Sequence, residues 1–209
     1  MKATLLKNPH RYVTAGDSEF PAVSTVLRQA GLKPDYAGIP DHIMKNAAER
    51  GTMVHAACQY LLEGELDWAS IEGGELEPFV RAFEQFQRDT SFRMLTSEMS
   101  VACPELGVAG TPDATGWLKR RAVVDIKATA KLDPSLGVQT GLYKAILDRT
   151  GYPVEDRFLL HLKKDGKYKL VACDDPLDVH AGIAAAMLYA GRGGDAALEI
   201  IRRWKQRYA

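Results

Sequence analysis

Apolar residues recur at helical spacing along much of the chain. Over 41–64, Ile43, Met44, Ala47, Val54, Ala57, Cys58, Leu61 and Leu62 fall mostly three or four apart, which predicts one long helix. Gly51 interrupts it and marks either a kink or close packing. Over 77–89, Phe79, Val80, Phe83 and Phe86 form the buried stripe of a second helix, and 21–32, 134–150, 176–190 and 195–208 read as further helices. Strands are predicted over 93–102, 108–118 and 122–128. Two more, over 157–163 and 167–173, flank Asp165-Gly166, a strong hairpin signal. The arm up to Phe20 shows little periodicity. This order of elements predicts an α/β protein with a central mixed β-sheet flanked by helices. No repeat or second domain is visible, so residues 1–209 are expected to form a single domain.

Chemistry concentrates between Gly110 and Lys127. Gly110-Thr111-Pro112-Asp113 is followed by a short alternating segment and then by Val123-Val124-Asp125-Ile126-Lys127. With side chains repeating every two residues, Asp113, Thr115 and Trp117 share one side of a strand, and Asp125 and Lys127 share one side of the next. Val124 and Ile126 then face a core. A core strand seldom carries an acid and a lysine on one face unless they form a structural ion pair or do chemistry. Two carboxylates can hold a hard divalent cation, and a lysine beside them can orient a water or steady a phosphate charge. The pattern points to metal-dependent cleavage of phosphodiesters.

Pro112-Asp113 and, after a spacer, Asp125-Ile126-Lys127 resemble the signature of the PD-(D/E)xK nuclease superfamily. Three further segments resemble its RecB-like and lambda-type exonuclease branch. These are Arg50-Gly51-Thr52-Met53-Val54-His55, Glu98 ahead of the Pro-Asp pair, and Gln139-Thr140-Gly141-Leu142-Tyr143. The resemblance implies a restriction-endonuclease-like core and one or two Mg²⁺ or Mn²⁺ ions. His55, Asp113, Asp125 and the backbone carbonyl of Ile126 would be ligands, and Glu98 a ligand or a support for one. Lys127 would position the attacking water or stabilise the transition state, and Gln139 and Tyr143 would line the site from the following helix. Without the resemblance, His55 reads as a core histidine, Glu98 as a solvent-facing acid, and Gln139 with Tyr143 as an ordinary helical pair. Thr111 and Thr129 are weaker candidates for polar support, and Trp117 reads as packing.

The resemblance also implies DNA as substrate and exonuclease action in recombination or repair by a phage-type enzyme, either free-standing or working with a recombinase or single-strand-annealing partner. A structure- or sequence-selective endonuclease and a silent DNA-binding or assembly module are the alternatives. Composition changes this picture little: 46% hydrophobic and 26% charged residues are ordinary for a globular protein. Formal net charge is zero, so no global positive field draws in DNA. Local basic clusters exist at Lys119-Arg120-Arg121 and at Arg202, Arg203, Lys205 and Arg207, either as a phosphate track or as solvated surface. Three scattered cysteines offer no zinc site, disulfide framework or four-cysteine iron–sulfur cluster, and fit a reduced, cytoplasmic setting. No signal-peptide core or membrane-length apolar run is seen.

Overall fold

A computed structural model describes residues 1–7, 10–36 and 38–208. Its centre is a five-stranded sheet built from β4 (Arg93–Ser97), β7 (Ala114–Trp117), β8 (Arg121–Lys127), β9 (Asp156–Leu162) and β10 (Tyr168–Ala172). The spatial order is β10-β9-β8-β7-β4. β8 and β9 run parallel and every other pairing is antiparallel, so the sheet is mixed. β8 is the middle strand. Its parallel partner requires a crossover, which α4 (Ser135–Arg149) supplies.

The two faces of β8 enter two different cores, as the two-residue period dictates. Ala122, Val124 and Ile126 pack under α2 (Asp41–Glu63) and α3 (Glu77–Thr90), together with Phe79, Phe83 and Phe86. Those three rings are almost fully buried, and each contributes about 1.5–3 kcal/mol of hydrophobic stabilisation. Val123 faces the other way, against Val138, Leu142 and Ile146 of α4. Behind α4 lie α1 (Val23–Gln29), α5 (Pro176–Tyr189) and α6 (Gly194–Tyr208). α4 is buried nearly all round, and glycines let its neighbour approach. A Cβ on Gly141 would stand 2.8 Å from the Asp178 carbonyl carbon and the Val179 nitrogen of α5. At the same contact Asp178 accepts from Trp204 Nε1 of α6 at 2.8 Å, and its carboxylate lies 3.7 Å from Arg157 of β9.

The N-terminal arm, whose sequence shows little periodicity, contributes β1 (Ala3–Lys7), β2 (His10–Thr14) and β3 (Glu19–Pro21) as a three-stranded antiparallel sheet. Three sequence expectations need correction. The expected strand over 93–102 is two strands, β4 and β5 (Val101–Cys103), and the one over 108–118 is β6 (Val108–Gly110) and β7. β5 pairs with β6 as a separate two-stranded sheet, so one antiparallel ribbon breaks in both arms at the same level. Pro112 cannot donate to a ladder, and Glu98 sits at φ +46, outside any strand conformation. α2 passes through Gly51 without interruption, and a Cβ there would meet nothing within 4 Å, so close packing does not explain the glycine. The apolar stripe of α2 is buried only from Val54 onward. Ile43 is 51% exposed and Met44 36%, so the apolar spacing of the first turns does not enter the core.

Among the described residues one further 3-10 turn lies at Trp68–Ser70, and the three cysteines are buried at separate places. Among the described residues no helix is long and apolar enough to cross a membrane.

Candidate metal centre

The break in the β4–β5/β6–β7 ribbon creates the site. Asp113 leaves the strand just before β7, and Glu98 leaves the opposite arm just after β4. The two residues face each other, with Glu98 N–H donating to the Asp113 carbonyl at 3.0 Å. Both acids were expected within strands; the structure puts both in the kink instead, where their side chains turn toward α2. Under the kink, the Tyr12 hydroxyl lies 2.9 Å from Thr111 Oγ1, which also bonds Ser100 Oγ at 2.7 Å. Thr111 thus ties Tyr12 of the N-terminal sheet to Ser100 of the ribbon.

α2 brings His55 to the same place, one residue past the buried Val54. Its Nδ1 stands 3.4 Å from Asp113 Oδ1 and 3.6 Å from Glu98 Oε1. One donor atom from each of His55, Glu98 and Asp113 lies within 4.8 Å of the others. The backbone of Ile126 is held from two directions: its N–H donates to Asp113 Oδ2 at 2.6 Å, and its carbonyl accepts from His55 Nε2 at 2.9 Å.

Asp125 and Lys127 project from β8 on the α4 face, as their alternation predicts. Lys127 Nζ is 2.6 Å from Asp125 Oδ2, and the Asp125 side chain is fully buried. From α4, Gln139 Nε2 reaches Asp125 Oδ1 at 3.3 Å and the Tyr143 hydroxyl at 3.4 Å, so Gln139 meets the strand acid and Tyr143 meets Gln139. Asp125 lies outside the three-residue donor cluster, occupied by Lys127 and Gln139. It remains close enough to Asp113 for the two carboxylates to repel.

The electrostatics follow from burying several charges together. Burial pushes the Asp125 carboxyl above its usual value, with Asp113 adding to the effect and Lys127 opposing it. Burial also pushes Asp113 upward, but His55, Lys127 and the Ile126 N–H outweigh it and hold this carboxyl below the ordinary range. Lys127 would be lowered by burial, yet Asp125 and Asp113 keep it above the usual lysine value. His55 behaves likewise: burial draws it down, while Asp113 and Glu98 raise it to about 10. Tyr143 is pushed well up by burial and by the two aspartates. Two aspartates this deep require positive charge nearby, and without an ion it comes from Lys127 and a protonated His55.

One imidazole nitrogen and the oxygens of Glu98 and Asp113 form a donor set suited to a hard or borderline divalent cation, with Asp125 and the Ile126 carbonyl adjoining. The residues present fit such an ion. They hold a compact cluster of donors between α2 and the kink of the ribbon, with the buried Asp113 and Asp125 carboxylates there for a dication to neutralise.

Two residues near the centre escaped the sequence reading. Lys33, in the loop after α1, donates from Nζ to Gln139 Oε1 at 2.6 Å. Burial and the neighbouring Lys127 draw it down to about 8. His161 sits opposite Lys127 in the β8–β9 register and donates from Nε2 to the Thr129 carbonyl at 2.7 Å, steadying the chain that leaves β8. A lone lysine in a loop and a lone histidine in a strand carry no local signal; only the fold brings them in. Thr129 spends its own hydroxyl on the Lys131 carbonyl. Trp117 is 37% exposed with the Arg121 guanidinium 5.9 Å from its ring, which makes it a surface residue rather than core packing.

Neither basic cluster is an open run of charge. Arg120 pairs with Asp156, Arg202 with Glu199 at 2.6 Å, and Arg207 with Asp175 at 2.9 Å.

No family model matches the chain, and no curated protein matches it. Among solved structures it is similar to an alkaline exonuclease (LHK-Exo) from Laribacter hongkongensis. Identity is 15%, coverage is 90% of this chain and 94% of that one, and the TM-score is 0.41. LHK-Exo in complex with dAMP matches at 19% identity, over 91% of this chain and 95% of that one, again with a TM-score of 0.41. A likeness this distant carries no argument about function.

Proposed function

We propose that the chain is a metal-dependent deoxyribonuclease of the PD-(D/E)xK type, the whole of 1–209 acting as one nuclease domain. One observation carries this reading. His55, Glu98, Asp113, Asp125, Lys127, Gln139 and Tyr143, picked out by motif from separate segments, meet around a single strand end in contacts of hydrogen-bond or ion-pair length. Chance matches to short motifs have no reason to converge in space.

His55, Glu98 and Asp113 would hold a Mg²⁺ or Mn²⁺ ion, with Asp125 and the Ile126 carbonyl beside it. When bound, the cation supplies charge neutralisation at the phosphodiester and assists attack by water. Lys127 keeps its proton in this acidic setting, so it offers a fixed positive charge to the phosphorane-like transition state or a donor that orients the water. Gln139 fixes the Asp125 carboxylate, and the Ile126 N–H fixes Asp113, so both acids are oriented before substrate arrives.

Exonuclease action in recombination or repair, alone or with a recombinase or annealing partner and in a phage setting, is the reading the motif branch favours. An endonuclease would use the same centre, and a silent module would keep the contacts without turnover. Incubating the protein with Mn²⁺ or Mg²⁺ and equal amounts of linear and closed-circular DNA separates them. Nucleotide release from linear DNA alone supports the exonuclease. Nicking of circles supports the endonuclease, and intact DNA in both arms rules out a nuclease.

A further inference from the structure

A groove of about 660 Å³ lies between α1, the loop that follows it and the start of α2, lined by Arg28, Lys33, Tyr36 and Met44 together with Ser24 and Asp35. Lys33 is where this groove meets the metal centre, since its Nζ bonds Gln139, whose amide reaches Asp125. Three properties of the lining go together. Lys33 is half-buried, yet among the described residues no carboxylate comes within 4.0 Å of its Nζ; its hydrogen bond goes to a neutral amide. A cation in that setting gains from an anion that moves in beside it. Tyr36 is 50% exposed and Met44 36%, so an aromatic ring and a soft apolar side chain stand open within the same groove. Arg28, exposed at the last turn of α1, adds a second positive charge further out.

Positive charge tracking a groove beside an open aromatic ring is the chemistry that takes single-stranded nucleic acid. Phosphates meet the cations and an unstacked base meets the ring, whereas a base inside a duplex has no free face to offer. We infer that this groove is the path of a single DNA strand into the centre. Lys33 binds a phosphate next to the one being cleaved, Arg28 binds a phosphate further out, and Tyr36 stacks on a base. The inference rests on the nuclease reading above. It assigns the strand's path to α1, the 33–36 loop and the start of α2, away from the two basic clusters whose arginines are largely paired within the protein.

The sagging basicity of Lys33, drawn down to about 8, agrees with this role, because a phosphate would restore the charge that burial and Lys127 oppose. A merely structural role is the competing account, with Lys33 acting only to hold Gln139 in place.

The test uses the whole protein with metal removed, so that nothing is cut, and follows the anisotropy of a fluorescent single-stranded oligonucleotide at several salt concentrations. Lys33→Met is expected to weaken binding about tenfold and to reduce the slope of log affinity against log salt by about 0.7, the share of one phosphate contact. Arg28→Ala, at an exposed position on which folding does not depend, is expected to reduce the slope by a similar amount. Lys33→Arg is expected to keep both affinity and slope. Tyr36→Ala is expected to weaken single-strand binding about tenfold with an unchanged slope, and to leave binding of a blunt duplex unaltered. Manganese affinity, measured by calorimetry without DNA, should be the same in all four variants. A parent that binds and cuts DNA while Lys33→Met, Arg28→Ala and Tyr36→Ala retain its affinity and slope overturns the inference and leaves the nuclease reading standing. Equal losses for duplex and single strand in Tyr36→Ala overturn the single-strand assignment. A parent that neither binds nor cuts any DNA overturns both readings together.

Discussion

His55 donates from Nε2 to the Ile126 carbonyl at 2.9 Å while its Nδ1 faces Asp113 Oδ1 at 3.4 Å, so one ring joins α2 to the backbone of β8 and to the acid at the head of β7. The ring thus has a structural contact at Nε2 and, at Nδ1, the position a metal ion would take from the acids' proton, and the first prediction separates the two.

Raised to about 10, His55 is an imidazolium at neutral pH when no ion is bound. Its value in an unfolded chain is about 6.5. Protonation therefore stabilises the ion-free fold in full below about pH 6.5, and that contribution fades as pH climbs through about 10. A divalent cation needs the neutral ring, so binding between those limits must expel a proton. Calorimetric titration of Mn²⁺ at pH 7.5, in buffers of different ionisation enthalpy, is expected to show release of about one proton per ion. His55→Ala should lose most of that release and need more metal for half-maximal activity. Metal binding to the parent with no proton release would exclude His55 as a ligand.

Asp125→Ala and Lys127→Ala are each expected to abolish cleavage, and turnover within about tenfold of the parent at saturating metal would refute the catalytic assignment. Their folding should differ. Lys127→Ala leaves the fully buried Asp125 without its counter-charge, at a cost of about 3 kcal/mol in chemical denaturation without metal. Asp125→Ala is milder, because Lys127 still faces Asp113.

Glu98 occupies left-handed backbone at φ +46, which costs a glutamate about 1 kcal/mol. Glu98→Gly is expected to recover about that much stability in the ion-free protein while weakening Mn²⁺ binding. Melting curves with and without Mn²⁺ test both halves. A variant that binds the ion as well as the parent would mean that Glu98 is not a ligand.

Gly141→Ala places a methyl group against the α5 backbone. The expected result is a loss of about 1–3 kcal/mol, and a fall in kcat of up to about a hundredfold as Gln139 and Tyr143 move with α4. Gly51→Ala, where a Cβ meets open space, is the control and should gain up to about 1 kcal/mol. Equal effects at the two positions would contradict the packing account.

What the sequence made legible was whatever depends on short periods. The alternation through Val123-Val124-Asp125-Ile126-Lys127 placed the acid and lysine on one face of a strand, and the structure agrees. The four-residue spacing of Gln139 and Tyr143 placed them on one helical face, where they bond each other and Gln139 reaches Asp125. What escaped depends on partners far along the chain. The break at Glu98 and Asp113 arises because Val101 and Gly110 pair with each other while Lys2 bridges to Val101 and Ala22 to Ala109. The short strands of the N-terminal arm owe their form to that same docking rather than to their own propensity. Lys33 reaches Gln139 across 106 positions, a distance over which a local pattern has nothing to say.

β8 divides two cores, and its chemistry draws on both sides: His55 comes from the layer of α2 and α3, Gln139 and Tyr143 from the layer of α4. An arriving chain that has docked one layer but not the other holds half a centre, either an aspartate and lysine without their histidine or a histidine without the helix that orients Asp125. Such a chain can collapse, pair strands and even bury most of its phenylalanines while remaining inert. If the chain is the nuclease proposed above, cutting power would arise with the last layer to close, and a destructive activity would come into being only in a molecule that has finished folding.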